Sequence, residues 1–173
     1  LNVAMSQAKL TGWQSPLDVP NLDRPQKRPS DLPGDGKVAA VLALFCDQSN
    51  DEKSDSLPTM PDLLLTQRAI NLTNHGGQIS FPGGRLEPGE STQQAAIRET
   101  EEEIGIHESK IELFGQLTSV YIPPSDFTVT PYVGVIRGEP NFKRCPREVE
   151  QIVRAPLNQL MGPEALTSGT VTR

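Results

Sequence analysis

Glutamates recur beside an arginine at fixed intervals in residues 84–106, which read G-R-L-E-P-G-E-S-T-Q-Q-A-A-I-R-E-T-E-E-E-I-G-I. On a helix of about 100° per residue, Glu99, Glu102 and Glu103 fall within one arc of roughly 100°. Carboxylates three and four residues apart repel, by a few tenths of a kcal/mol per pair in an isolated helix. A fold tolerates such an arc when a hard, oxygen-seeking cation such as Mg2+ lies among them. Arg98 can pair at i,i+4 with Glu102 or orient Glu99 from the side. A solvated acidic helix face is the plainer reading, but here the acids follow a P-G-G turn, with a further glutamate, Glu90, at fixed offset. The chemistry this suggests is the holding of a divalent metal and a pyrophosphate.

The positioning element is a helix. Ser91 with Gln94 three residues on forms a capping box that starts it at Thr92, and Gly105 is a stop just past its last turn. Ala95 and Ala96 lie on the acidic side, small enough to leave room for a ligand. Ile97, Thr100 and Ile104 form a separate stripe for packing on a sheet, and Glu101 points to solvent. Ahead of the helix, residues 37–46 contain V-A-A-V-L-A-L-F and read as a buried central strand. Residues 62–67 read as the next strand, and 78–81 feed the P-G-G turn. After the helix, 110–121 and 127–137 carry strand patterning, with Pro131 marking an edge or bulge. Residues 148–155 read as a strand or a helix entry, and 156–161 as a helical turn.

These residues resemble the Nudix box, G-x5-E-x7-R-E-U-x-E-E-x-G-U, where U is apolar. Gly84, Glu90, Arg98, Glu99, Glu102, Glu103, Gly105 and Ile106 fall in register, and Thr100 is the one departure. Strands, one long helix, then more strands fit a mixed sheet, and the resemblance implies an α/β/α sandwich. It also implies one to three Mg2+ or Mn2+ ions held by Glu99, Glu102 and Glu103, with the Gly83 carbonyl and Glu148 as further ligands. Glu148 is the residue of P-R-E-V-E-Q-I-V that best resembles the family's late carboxylate. Glu99, Arg98 and Glu102 form the expected catalytic group, with Glu99 the first choice of general base and Glu148 the second. Glu90 supports them from behind.

A second pattern precedes the box. Residues 64–84, L-L-T-Q-R-A-I-N-L-T-N-H-G-G-Q-I-S-F-P-G-G, are similar to the signature of the coenzyme A diphosphatase branch, L-L-T-x-R-[SA]-x3-R-x3-G-x3-F-P-G-G. Leu64, Leu65, Thr66, Arg68, Ala69, Gly77, Phe81, Pro82, Gly83 and Gly84 agree; Thr73 stands where the pattern has a second arginine. Residues 127–134 also resemble that branch's V-T-P-x-V-G strand. The resemblance implies hydrolysis of coenzyme A or an acyl-coenzyme A to 3′,5′-adenosine bisphosphate and 4′-phosphopantetheine or its acyl form. It places Arg68 near an anionic end of the substrate, with the 3′-phosphate as the contact to test. Gly84 joins the substrate-binding set. His75 reads as structural or as a substrate contact, and Tyr121 as strand packing or a base-stacking ring. Two readings stay beside it: a Nudix pyrophosphatase for ADP-ribose or a dinucleotide, and an inactive module that binds nucleotide or protein.

Composition sets outer bounds. The chain of 173 residues allows one domain with a real core. An irregular, Pro- and Gly-rich segment at 1–36 precedes a single domain over 37–173. A net charge of −6 argues against generic nucleic-acid binding, so a small-molecule nucleotide is the expected partner. No apolar run approaches membrane-spanning length, which speaks against a membrane partner. Cys46 and Cys145 read as unpaired thiols, with a cytoplasmic setting as the default. A homodimer stays open. The chain opens on Leu, and family members continue past the equivalent of Arg173 into a further strand and helix, so completeness at either end is open too.

Overall fold

The computed structural model describes residues 36–47, 60–73 and 75–165. Most of the irregular 1–36 segment lies outside them. Strand β1 (Lys37–Asp47) is the spine of an eight-stranded mixed sheet, in the order β3-β2-β1-β7-β5. It runs parallel to β7 (Phe127–Arg137) along its whole length. Every second residue of β1 from Ala40 to Cys46 is buried, and these pack with Leu64, Tyr132, Ile136, Ala95, Ala96 and Ile104. Burying a leucine such as Leu42 or Leu44, both 0% exposed, contributes about 1.5–3 kcal/mol.

The other edge of β1 is divided. β2 (Asp62–Arg68) pairs with its Leu44–Cys46 end, and β4 (Gly83–Arg85) with Ala39–Val41. Between them the Leu42 amide donates to the Pro82 carbonyl at 2.9 Å. Beyond Leu64, β2 leaves β1 and pairs with β3 (Ile79–Ser80), while β8 (Val149–Pro156) runs along its other edge.

Helix α1 (Thr92–Ile104) packs over β1 and β4. Ser91 caps it through the expected box, and Gly105 ends it at φ 74°, a left-handed conformation that suits glycine. Its buried face is Ala95, Ala96, Thr100, Glu103 and Ile104. This corrects two expectations: the alanines are core, 0% exposed, and leave no room for a ligand. Ile97 is not part of the packing stripe; it lines an open groove with Gln93, Arg98 and Glu101. Thr100 is tolerated at an apolar position because its hydroxyl donates back to the Ala96 carbonyl at 2.7 Å.

The 110–121 stretch divides into β5 (Glu112–Gln116) and β6 (Val120–Ile122), both antiparallel to β7. Pro131 is a further correction, because it lies inside a central strand. The ladder on its outer side is interrupted between β5 and β6, where its carbonyl accepts from Leu117 at 2.8 Å, so its missing N–H deprives no partner. Residues 149–156 form β8, followed by the single turn α2 (Leu157–Leu160). Among the described residues, no helix is long and apolar enough to cross a membrane.

Candidate active site

The last-turn carbonyls of a helix have no partner within it. In α1 they are satisfied by the chain that follows: Gly105 N–H donates to Glu101, Lys143 N–H to Ile104 and Cys145 N–H to Glu103, at 2.8–3.0 Å. This stitching draws the 143–148 segment against the helix and delivers Glu148 to Glu103. Ala69 N–H then donates to the Glu148 carbonyl at 2.9 Å, tying the same corner to the end of β2. As a result, Glu99, Glu103 and Glu148 each present a carboxylate oxygen within 4.8 Å of the others.

Glu103 is the interior member, 3% exposed. Its Oε2 accepts from the Gly83 amide at 3.3 Å. Burial pushes its carboxyl up to about 7; the Gly83 hydrogen bond opposes this, Glu99 and Glu148 add to it, and Arg68 pulls it down. Burial likewise raises Glu99, against the pull of Arg98, with Glu102 and Glu148 reinforcing the rise. Carboxylates crowded and desolvated in this way are relieved by a divalent cation, and an all-oxygen donor set is what Mg2+ or Mn2+ prefers. The residues fit such an ion.

Arg98 braces the cluster. Its guanidinium grips both oxygens of Glu90 at 2.8 and 3.1 Å and reaches Glu99 at 3.0 Å and Glu102 at 3.1 Å. It also donates to the Arg85 carbonyl at 3.1 Å. The hydrogen bond from Arg98 holds Glu90 below the usual carboxylate range. Fork-like pairing of this kind fixes orientation as well as charge. Glu102 is the departure from the sequence reading. It is half-exposed, turned onto Arg98, and outside the converging trio.

The glycines make close approaches. A Cβ on Gly83 would come 2.4 Å from the Ala40 carbonyl oxygen, and one on Gly84 would come 2.4 Å from the Glu99 carboxylate. Gly84 thus makes room for Glu99. Gly84→Ala should displace Glu99, whose flexible side chain can swing aside, and leave the fold intact. The expected result is a loss of turnover of about 10²-fold, the scale for a misplaced catalytic group, with little change in melting temperature. An unchanged rate would show that the Glu99 position is not critical.

The remaining candidates sit as follows. Arg68 ends β2 beside the cluster. His75 is exposed at φ 59°, with Nδ1 2.9 Å from Gln78 Oε1, in the loop joining β2 to β3. Tyr121 is 2% exposed and donates its hydroxyl to Asp126 at 3.1 Å. Its ring is packed in the sheet and has no face to offer a base, which corrects that expectation.

A family model described as NUDIX domain matches residues 37–172. The chain belongs to the Nudix family. Nudix hydrolase 3 of Caenorhabditis elegans is 43% identical over 108 residues, 61% of this chain and 45% of that protein. The uncharacterised Nudix hydrolase NudL of Escherichia coli O1:K1 is 41% identical over 106 residues, 58% of this chain and 53% of that one. The chain spans about half the length of these curated relatives. Among solved structures, the Nudix hydrolase RenU of M. smegmatis has a TM-score of 0.57 at 20% identity, covering 73% of this chain and 83% of its own. The Caenorhabditis elegans Ap4A hydrolase binary complex has 0.55 at 20% identity, covering 69% and 80%. At such identities the likeness is one of fold, and it agrees with the mixed α/β sheet described above.

Proposed function

We propose that this Nudix chain is a metal-dependent diphosphatase whose substrate is coenzyme A or an acyl-coenzyme A. The observation that supports it most is a convergence. Arg68 and the Pro82–Gly84 turn, both within the 64–84 pattern, lie beside Glu99, Glu103 and Glu148, which α1 and the residue before β8 bring together. A pattern suggesting one substrate class and a carboxylate trio suited to a cation thus share one site.

Glu99, Glu103 and Glu148 would hold Mg2+ or Mn2+, with the Gly83 carbonyl as a further donor and Glu102 close by on Arg98. When bound, the cation neutralises diphosphate charge and makes a water more acidic. Arg98 aims Glu99, and the Gly83 amide holds Glu103. Glu99 accepts the proton of the attacking water. Water adds to phosphorus, the bridging P–O bond breaks, and the products are 3′,5′-adenosine bisphosphate and (acyl-)4′-phosphopantetheine.

The test is a panel of coenzyme A, acetyl-coenzyme A, dephospho-coenzyme A, ADP-ribose and a dinucleotide, with Mg2+ and Mn2+ and products read by mass. Coenzyme A and its acyl form should be cleaved to the named products. A clear preference for ADP-ribose would sink the coenzyme A reading and leave the diphosphatase one. Metal binding without turnover of any compound would mark an inactive binding module.

A further inference from the structure

Arg68 differs from the other half-buried arginines of this fold. Arg98 is satisfied by Glu90, Glu99 and Glu102, and Arg154 by Asp62 and Glu139. Among the described residues, the buried Arg68 Nε has no hydrogen-bond partner. Leaving a charged donor dry and unpaired costs free energy, and native folds rarely do so without a reason. Arg68 is not remote from carboxylates. It pairs with Val149 across the β2–β8 ladder, next to Glu148, and its charge pulls down the Glu103 carboxyl. Leu64 and Thr66, four and two residues earlier, are buried, and Leu64 belongs to the core that holds Ala95 and Ala96, so strand alternation directs Arg68 to the helix side. Yet it forms no ion pair with the trio. The guanidinium lies beyond ion-pair distance of the carboxylates, yet near enough for its charge to act on Glu103.

An anion carrying oxygens on two sides fits between a guanidinium and a carboxylate-held divalent cation. We propose that Arg68 donates to the bridging diphosphate itself, opposite the cation, and not to a second phosphate farther along the substrate. This rests on the diphosphatase reading above. Its consequence is that Arg68 serves every diphosphate substrate alike and does not distinguish coenzyme A from dephospho-coenzyme A. Any discrimination of the 3′-phosphate then comes from other residues.

The experiment compares wild type, Arg68→Ala and Arg68→Lys in the full chain. It measures binding of Mn2+ alone, binding of inorganic pyrophosphate in the presence of Mg2+, and kcat/KM on coenzyme A and dephospho-coenzyme A. Arg68→Ala should weaken pyrophosphate binding about 10- to 150-fold, the worth of one charge-assisted hydrogen bond. Mn2+ affinity should stay the same or tighten, since a neighbouring positive charge is removed. Arg68→Lys should recover part of the loss, and kcat/KM should fall by one common factor on both nucleotides. Unchanged pyrophosphate binding would overturn the proposal. So would Mn2+ affinity lost in step, which would make Arg68 a structural prop, or a loss confined to coenzyme A, which would move it to the 3′-phosphate. If wild type cleaves neither nucleotide, the coenzyme A reading fails alone, and pyrophosphate binding still decides the role of Arg68.

Discussion

Glu99→Gln should slow turnover by roughly 10²–10⁴-fold, the range for a lost general base. The exchange keeps size and removes charge, so the capped helix, the Arg98 brace and the Glu103–Gly83 hydrogen bond should all survive. Glu99 is chosen because it combines contact with Arg98 and a place in the converging trio. Single-turnover rates on the substrate identified by the panel, with metal saturating, separate loss of the base from loss of metal. The competing assignment has a clear signature: a near-native rate in Glu99→Gln with a dead Glu148→Gln would make Glu148 the base.

Metal affinity should rise steeply with pH, by about tenfold per unit between about pH 5 and pH 7, and level off above. The cause is Glu103, whose carboxyl is pushed up to about 7, so a cation arriving at lower pH must displace its proton. Glu99, also raised, steepens the dependence. The metal-free protein should behave in the opposite sense. A carboxyl whose folded value lies above its unfolded value contributes stability that is complete below the unfolded value, about 4.5, and is lost as pH rises through about 7. Thermal melts at pH 6 and pH 8, with and without millimolar Mn2+, check both arms. The Mn2+-induced rise should be larger at pH 8, chelation should reverse it, and Glu103→Gln should flatten its pH dependence. A rise of the same size at both pH values would exclude Glu103 as the titrating ligand, and no rise at either would remove the metal from this reading.

Much of the framework is legible in the sequence, because it rests on short-range rules. Ser91, Gln94 and Gly105 bound α1 through contacts within a few residues, so its limits match the expectation. The continuous apolar run of β1 and the branched and aromatic residues of β7 mark strands whatever their neighbours. The box spacing by itself points to carboxylates gathered on one helix. Which part of that helix turns inward is another matter, since alanine, threonine and glutamate define the apolar face poorly. Only the sheet, by placing Leu42, Leu44 and Leu64 against α1, buries Ala95, Ala96 and Glu103 and leaves Ile97 and Glu102 outside. The same holds for Glu148, whose approach depends on helix-end carbonyls seeking donors from a segment some forty residues on. Tyr121 looks available in the sequence and is packed away by β7. The division of one β1 edge between β2 and β4, which sets Gly83 and Gly84 beside Glu103 and Glu99, is a fact of strand pairing that no local pattern encodes. Residue types and spacing determined which chemistry this chain can carry. Long-range hydrogen bonding and burial decided which of those residues meet, because only they bring together groups far apart in the chain.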